Sequence, residues 1–207
     1  MHQDGASLAA LIGSRICHDL ISPIGAISNG LELVGMTSAA RDSPEMSLIQ
    51  QSCNHAAARI RFFRIAFGTA ADTCPIAVEE ARNTLAGHYA GTRISTQWDI
   101  ERDLARNVTQ LAYLSALCLE TALPQGGVIG ITLQAHTLMA TARADTVRRT
   151  SPIWSVLDGA ESDHPPEVRP PEVQFLLLAR ICGDTGVTTQ RDAIDGRVEL
   201  RLSLARL

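Results

Sequence analysis

Lysine, clustered basic charge and long apolar segments are all missing from this chain of 207 residues. All 18 basic residues are arginine, and 22 acidic residues outnumber them, which gives a net charge of -4. The absence of a basic cluster argues against a nucleic-acid surface, whose affinity depends on concentrated Lys and Arg. No apolar segment approaches the ~18 residues of a membrane span, and the N-terminus lacks the basic segment of a signal peptide. We therefore expect a cytoplasmic protein that binds neither membranes nor nucleic acids.

Paired cysteines are missing as well. The chain has five cysteines, an odd number, and it contains no CxxC motif. Neither a disulfide framework nor a zinc site is indicated, and reduced thiols fit a cytoplasmic protein best. The sequence therefore predicts no metal bound by this chain. Hydrophobic residues make up 45% of the sequence, so the chain can bury a core and global disorder is not expected.

The first third of the chain has the apolar spacing of two long helices. Between residues 9 and 34, apolar side chains recur at steps of three and four, which places them on one face of a helix. Gly35 and Pro44 bound a break, and a second helix is predicted at about 45–68. Its apolar positions follow the heptad spacing of a coiled-coil seam, at Met46, Ile49, Cys53, Ala56, Ile60, Phe63 and Phe67.

Two such helices joined by a short loop form an antiparallel hairpin, and a lone hairpin leaves one side of its seam open. Two hairpins that close into a four-helix bundle would cover that side, so the sequence predicts a homodimer.

The remainder of the chain mixes helix and strand patterns. We predict helices at 76–90, 107–122 and 171–183, and strands at 93–99, 128–135, 137–145, 187–192 and 197–204. This order indicates an α+β sandwich with helices on one face of a mixed sheet. The sequence therefore predicts two domains, a helical hairpin at 1–70 and a sandwich at 71–207.

A histidine and an aspartate stand side by side in the first predicted helix, within SRICHDLISPIGAI at 14–27. At the helical pitch, His18 lies ~200° from both Ile16 and Leu20, so it points away from the buried stripe. Pro23 removes the hydrogen bond that its own N–H would donate to the carbonyl of Asp19, and a bend is expected there. The other residues on the face of His18 are mostly small or polar: Leu11, Ser14, Arg15, Ser22, Gly25 and Asn29.

An exposed neutral imidazole has a free ring nitrogen and suits nucleophilic work near neutral pH. Asp19 could accept a hydrogen bond from the ring, and Arg15 could bind a phosphoryl group by charge and paired hydrogen bonds. Ser14 and Ser22 could hydrogen-bond a phosphate or a water. The arrangement favours phosphoryl transfer through a phosphohistidine, although a single surface histidine is more often merely solvated.

The segment His18-Asp19-x-x-Ser22-Pro23 resembles the H-box of two-component histidine kinases, in which an acidic residue and then a proline follow the phospho-accepting histidine. The hairpin resembles their dimerisation and phosphotransfer domain. The second part resembles, in the order of its elements, the Bergerat-type domain that binds ATP in these kinases.

Three features that such a kinase needs for nucleotide binding are missing. In the helix before Gly126-Gly127, no Asn lies between residue 108 and the end of the helix, and Cys118 stands at about the position of the essential one. The segment ARADTVRRTSP has no glycine where a D-x-G-x-G motif is expected, and no glycine lies between Gly159 and Gly183 to form a lid. Without glycines the backbone cannot approach phosphates closely. The second domain is therefore predicted to be a degenerate ATPase-like domain that binds no ATP.

The ten-residue box H-D-L-I-S-P-I-G-A-I and the turn L-P-Q-G-G at 123–127 resemble the ChpT family of alphaproteobacterial histidine phosphotransferases. The resemblance implies a dimer that accepts a phosphoryl group from the receiver domain of a CckA-like hybrid kinase and passes it to CtrA-like and CpdR-like response regulators. It implies no cofactor on this chain and Mg²⁺ on the partner receiver.

By the same resemblance, His18 is the phosphoryl carrier, tuned by Asp19 and Arg15. The receiver-docking surface would include or adjoin Ser14, Cys17, Ile21, Ser22 and Gly25. Two alternatives remain open at this point. One is a non-catalytic adaptor that docks receivers or kinases, and the other is an ATP-dependent histidine kinase.

Overall fold

The computed structural model describes residues 2–35, 44–68, 74–157 and 166–204, although in the two long N-terminal helices the side chains of residues 2–7, 10, 17, 35 and 45 are not described. The predicted break at 35–44 and the predicted domain boundary at 70 lie largely outside these ranges. The division into two domains stays a prediction.

Two long helices form the N-terminal hairpin. Helix α1 spans His2–Gly35 and helix α2 spans Pro44–Ala66, and the two pack against each other. The predicted helices are therefore confirmed, although α1 begins earlier than its apolar stripe. Pro23 lies inside α1, which continues through it.

The predicted seam of α2 divides into an inner and an outer set of residues. Ile49 and Phe63 are buried, whereas Cys53 is exposed and Ile60 is 54% exposed. The largest fully buried side chain of α2 is Phe62, which the heptad pattern did not select. The C-terminal half of α2 is covered by two further helices, so it buries a wider face than a coiled-coil stripe.

The second part of the chain is a five-stranded mixed sheet with helices packed against it. The helices are α3 (Val78–Tyr89), α4 (Arg106–Glu120) and α5 (Val173–Thr185). The strands are β1 (Ile94–Asp99), β2 (Gly127–Gln134), β3 (Thr137–Arg143), β4 (Thr188–Ile194) and β5 (Arg197–Ser203). The sheet order is β1-β2-β3-β5-β4, with β1 parallel to β2 and every other pair antiparallel. The predicted α+β fold is confirmed. Short 3₁₀ helices at Pro152–Val156 and Pro170–Glu172 were not predicted.

Helix α4 lies at the centre of the core. Every residue from Val108 to Leu119 is buried, because the sheet covers one side of α4 while α2 and α5 cover others. Phe62 and Ile65 of α2 belong to the same hydrophobic cluster as the inward side chains of the sheet. The hairpin and the sandwich therefore share one continuous core where they meet.

Two further contacts bring the middle of α1 onto the sandwich. Helix α1 packs against α5 and against the 3₁₀ helix Pro170–Glu172. These contacts place the segment around His18 at the junction between hairpin and sandwich. None of the described helices is both long and apolar enough to cross a membrane.

Candidate functional site

The imidazole of His18 projects into solvent from the middle of α1. Its side chain is 76% exposed, as the helical geometry predicted. Nδ1 lies 3.0 Å from Oδ1 of Asp19, the adjacent residue, whose own side chain is only 14% exposed. A carboxylate only accepts hydrogen bonds, so the Nδ1 side of the neutral ring is the N–H side. Nε2 then has the lone pair and faces away from the aspartate.

Arg15 holds the other oxygen of the same carboxylate. Its Nε donates to Oδ2 of Asp19 at 2.7 Å, and its Nη1 donates to the carbonyl of Pro171 at 2.7 Å. The residue is only 9% exposed. The direct contact with a phosphoryl group that the sequence suggested for Arg15 does not fit this placement. Its positive charge instead acts on the site through Asp19, and it ties α1 to the 3₁₀ helix Pro170–Glu172.

The backbone of Asp19 is held as well. Pro23 is buried in α1 and has no N–H, so it leaves the carbonyl of Asp19 without its helical donor. Nη1 of Arg59, in α2, donates a short hydrogen bond to that carbonyl. The sequence shows that a donor is needed at this point, but it does not reveal which residue supplies it, because Arg59 is 40 positions away.

Three titratable groups of the sandwich lie in the electrostatic field of these arginines. Burial, helped by the positive charge of Arg59, lowers the pKa of His88 to about 3. The ring of His88 stacks on Phe62 with centroids 3.9 Å apart. Burial raises the pKa of Glu120, although Arg15 and Arg59 oppose this effect. Tyr89 donates to Glu120 over 3.4 Å. The sequence patterns pointed to none of these contacts, since the stacking joins α2 to α3 and the hydrogen bond joins α3 to the end of α4.

The predicted docking residues that the structure describes surround His18 on the outside of α1. Ser14, Ser22 and Gly25 are exposed, and apart from its chain neighbours and the adjacent backbone of α1 no atom lies within 4 Å of the position a Cβ would take at Gly25. Ile21 is 69% exposed, which is unusual for an isoleucine. The side chain of Cys17 lies outside the described residues. The described residues thus form a surface of small and apolar groups that another protein could approach closely.

Side chains at or next to the positions where a kinase would bind a nucleotide are buried in the described part of the chain. Cys118, which stands where a kinase has its essential Asn, is fully buried, and burial raises its pKa well above the usual value. The segment after β3 leads into the 3₁₀ helix Pro152–Val156, whose Trp154 is 2% exposed. Trp154 packs edge-on against Phe175 with centroids 4.9 Å apart. Part of the predicted lid, residues 158–165, lies outside the described residues.

No cluster of three or more His, Cys, Asp or Glu suited to hold a metal ion occurs among the described residues. Among the described residues, the side chains of Cys53, Cys118 and Cys182 are free thiols.

The chain is similar to known proteins in family, in sequence and in structure. The family described as "Histidine phosphotransferase C-terminal domain" matches residues 78–196. Protein phosphotransferase ChpT of Brucella abortus (strain 2308) is 32% identical over 177 residues, which are 83% of this chain and 84% of that protein. A solved structure titled "1.7 Angstrom Structure of a Bacterial Phosphotransferase" is 30% identical, with a TM-score of 0.78 over 95% of this chain and 96% of its own. A histidine kinase domain of Erythrobacter litoralis EL346 aligns at 13% identity with a TM-score of 0.41, over 98% of this chain and 94% of its own.

A helical hairpin with an exposed histidine on an α+β sandwich, in a chain with these relatives, defines a protein phosphotransferase. The chain belongs to the histidine phosphotransferase family, and the resemblance that its motifs suggested is confirmed.

Proposed function

We propose that the chain moves phosphoryl groups between the aspartates of receiver domains, with His18 as the carrier and without binding ATP. The observation on which this rests is the exposed imidazole whose Nδ1 is engaged by Asp19. That contact leaves Nε2 as the nucleophilic nitrogen, directed at an incoming partner.

The transfer consists of two reversible steps. Nε2 attacks the phosphorus of an aspartyl phosphate on the first receiver, a P–N bond forms, and the P–O bond to the receiver's carboxylate breaks. That carboxylate leaves with the bonding electron pair. In the second step the carboxylate of another receiver attacks phosphorus, a P–O bond forms and the P–N bond breaks, and Nε2 leaves with the bonding electron pair, which regenerates the neutral imidazole. Asp19 stabilises the positive charge that develops on the ring while Nε2 is phosphorylated. Mg²⁺ would be held by the receivers, where it neutralises the transferring phosphoryl group.

The partners we propose are the receiver domain of a CckA-like hybrid kinase as donor and CtrA-like and CpdR-like response regulators as acceptors. This follows the family resemblance of the H-D-L-I-S-P-I-G-A-I box. The exposed surface formed by Ser14, Ile21, Ser22 and Gly25 supports a protein partner, because its small residues allow close approach and Ile21 offers apolar contact.

A kinase reaction with ATP finds no support at the expected positions. Cys118 is packed in the core and Trp154 is buried against Phe175. Cys118 has a sulfur atom where an Asn would be needed to hold Mg²⁺, and the segment after β3 has no glycine that would let the backbone approach phosphates. We therefore propose that the phosphoryl group enters from a phosphorylated receiver only.

We also propose that the chain acts as a homodimer. The outer residues of the α2 seam, Met46, Cys53 and Ile60, follow one another at intervals of seven and are all exposed. Ile24 and Leu31 of α1 repeat the same interval and are 54% and 55% exposed. A heptad ladder of exposed apolar residues on both helices of a hairpin is typical of a face that a second hairpin covers.

The test uses a ³²P-labelled receiver, prepared with a hybrid kinase that is then removed, and compares this chain with its His18→Ala variant. We expect label on the wild-type chain and its passage to a second receiver, and no label on His18→Ala. Transfer that persists in His18→Ala would overturn the assignment of His18. If the His18→Ala variant bound the receiver and the wild-type chain accepted no label from it, the chain would be an adaptor. Labelling of the chain by ATP alone would indicate a kinase.

A further inference from the structure

Helix α1 contains a proline in its interior and nevertheless continues for 34 residues. An interior proline removes one backbone hydrogen bond and costs about 3 kcal/mol in a helix. The group left without a donor is the carbonyl of Asp19, four residues before Pro23. A carbonyl without a partner in a partly buried position is unfavourable unless another donor replaces the missing N–H.

Arg59 is that donor. Its Nη1 donates to the carbonyl of Asp19 from the neighbouring helix α2. Guanidinium is well suited to this task because it has five N–H groups in a rigid plane and remains charged at any relevant pH. The contact ties the two helices together next to the phosphoryl carrier.

Asp19 is consequently held at both ends. Arg15 donates to its carboxylate from α1, and Arg59 donates to its carbonyl from α2. The remaining carboxylate oxygen faces Nδ1 of His18 at 3.0 Å. A shift of the Asp19 backbone would move this oxygen and with it the imidazole, which no other described hydrogen bond restrains.

The surroundings of Arg59 leave its charge available for this contact. Among the described residues Arg59 forms no ion pair with a carboxylate. His88 lies close enough for its pKa to respond to Arg59, and with a pKa of about 3 it is uncharged near neutral pH and does not repel the guanidinium. The carbonyl of Asp19 is thus the polar partner that the structure gives Arg59 near the site.

We propose that Arg59 is a positioning residue for phosphotransfer, which replaces the hydrogen bond deleted by Pro23 and so fixes the turn that presents His18 and Asp19. The proposal rests on the proposed role of His18. If the proposal is correct, the effect of Arg59 on transfer depends on the presence of Pro23. A residue that only stabilised the fold would affect transfer whether or not the proline was present.

The test is a double-mutant cycle between Arg59→Met and Pro23→Ala in the full chain. Misplacement of a reacting group by about 1 Å costs up to ~100-fold in rate, so we expect Arg59→Met to slow transfer at saturating receiver by about tenfold or more. Receiver affinity should change by less than about twofold, since Arg59 is not on the exposed face of His18. In the Pro23→Ala background, where residue 23 regains its N–H, the same Arg59→Met change should slow transfer less than about threefold.

Arg61→Met is the matched control, because Arg61 is an exposed arginine two positions away on the same helix. It should leave the transfer rate unchanged. Arg59→Lys keeps a charged donor and should recover part of the rate lost in Arg59→Met. An equal loss for Arg59→Met in both backgrounds, or no loss in either, would overturn the proposal.

A second readout is independent of phosphotransfer. The backbone ¹³C′ resonance of Asp19 should shift in Arg59→Met and not in Arg61→Met, because it reports the hydrogen bond to that carbonyl. If His18→Ala still passed label while Arg59→Met shifted this resonance, the assignment of His18 as carrier would be wrong. The hydrogen bond from Arg59 to the carbonyl of Asp19 would nevertheless be confirmed. If Arg59→Met left this resonance unchanged, the hydrogen bond between Arg59 and the carbonyl of Asp19 would be disproved.

Discussion

Oδ1 of Asp19 lies 3.0 Å from Nδ1 of His18, the preceding residue in the same helix. The aspartate is mostly buried while the histidine is exposed, so the rigid member of the pair is the carboxylate. The carboxylate therefore selects the ring nitrogen that retains the proton, and the opposite nitrogen is the one presented to solvent.

The first prediction concerns which nitrogen is phosphorylated. We expect the neutral imidazole of His18 to have its proton on Nδ1, and the phosphorylated protein to have its P–N bond at Nε2. Long-range ¹H–¹⁵N correlation spectra of the ring identify the tautomer, and ³¹P–¹⁵N coupling or ³¹P chemical shift identifies the phosphorylated nitrogen. Phosphorylation at Nδ1 would contradict the role assigned to Asp19. An Asp19→Ala variant provides the comparison, because its ring should populate both tautomers.

The second prediction concerns the stability of the site. Arg15 is 9% exposed and makes one hydrogen bond to a carboxylate and one to the carbonyl of Pro171. Hydrogen bonds to charged groups contribute about 1.5–3 kcal/mol each, so Arg15→Met should lower the free energy of unfolding by about 2 kcal/mol or more. Urea denaturation at one fixed protein concentration measures this, since association would otherwise alter the midpoint.

Arg149→Met is the control for that measurement. Arg149 pairs with Asp195 at 2.7 Å, the same distance as in the Arg15–Asp19 pair, but the two side chains are 51% and 93% exposed. Exposed ion pairs contribute little or nothing to stability. Equal losses for the two variants would show that burial does not distinguish the pair at the site.

Sequence periodicity was sufficient for most of the fold. The spacing of apolar residues predicted α1, α2 and the helices and strands of the sandwich, because each buries a single face with its own period. It failed at Phe62, because α2 meets α3 and α4 with a second face that a heptad pattern does not contain. The two 3₁₀ helices were also missed, since segments of three to five residues are too short for a period to appear.

At the site, the exposure of His18 and the adjacency of Asp19 could be predicted because both follow from positions within one helix. The burial of Arg15 could not, because its partner Pro171 is 156 residues away along the chain. The role of Arg59 could be predicted only in part. Pro23 indicates that the carbonyl of Asp19 lacks its helical donor, but the packing of α2 on α1 decides which side chain replaces that donor.

The third prediction is a dependence of stability on pH that originates at His88. Its pKa is about 3 in the folded protein and near 6.5 in an unfolded chain. In that interval the unfolded state binds the extra proton, so stability is fully present above pH ~6.5 and is lost as the pH falls towards ~3. The slope approaches about 1.4 kcal/mol per pH unit. Glu120, whose pKa is raised, acts in the opposite direction, since the folded state takes up its proton first as the pH falls.

His88→Phe isolates this contribution, because a phenyl ring can keep the stacking on Phe62 and does not titrate. Urea denaturation between about pH 7 and pH 5 should show a smaller loss of stability for His88→Phe than for the wild type, by about 1 kcal/mol per pH unit. His136→Phe is the control, since His136 is exposed, and its curve should run parallel to that of the wild type. If the curve for His88→Phe ran parallel to that of the wild type, the pKa of His88 would be the same in the folded and the unfolded protein, and the prediction would be wrong.

The fourth prediction tests the dimer through one face of the hairpin. Ile60 of α2 is 54% exposed and lies on the same heptad ladder as Cys53. If a second hairpin covers this ladder, Ile60→Glu places a carboxylate in an apolar interface, and an unpaired buried charge costs several kcal/mol. We therefore expect a wild-type dimer and a monomeric Ile60→Glu variant in sedimentation equilibrium at micromolar concentration.

Ile194→Glu is the matched control, because Ile194 is 53% exposed but lies at the end of the edge strand β4, away from the hairpin. Its mass in solution should equal that of the wild type, and both variants should keep the far-ultraviolet circular dichroism of the folded protein. A dimer that survives Ile60→Glu would mean that the heptad ladder faces solvent, and a dimer lost only in Ile194→Glu would place the interface on the sheet. A hairpin dimer would present two His18 side chains, one on each protomer, each flanked by its own docking residues. A receiver that contacts both hairpins would lose part of its docking surface in the monomer. In that case Ile60→Glu should also slow transfer.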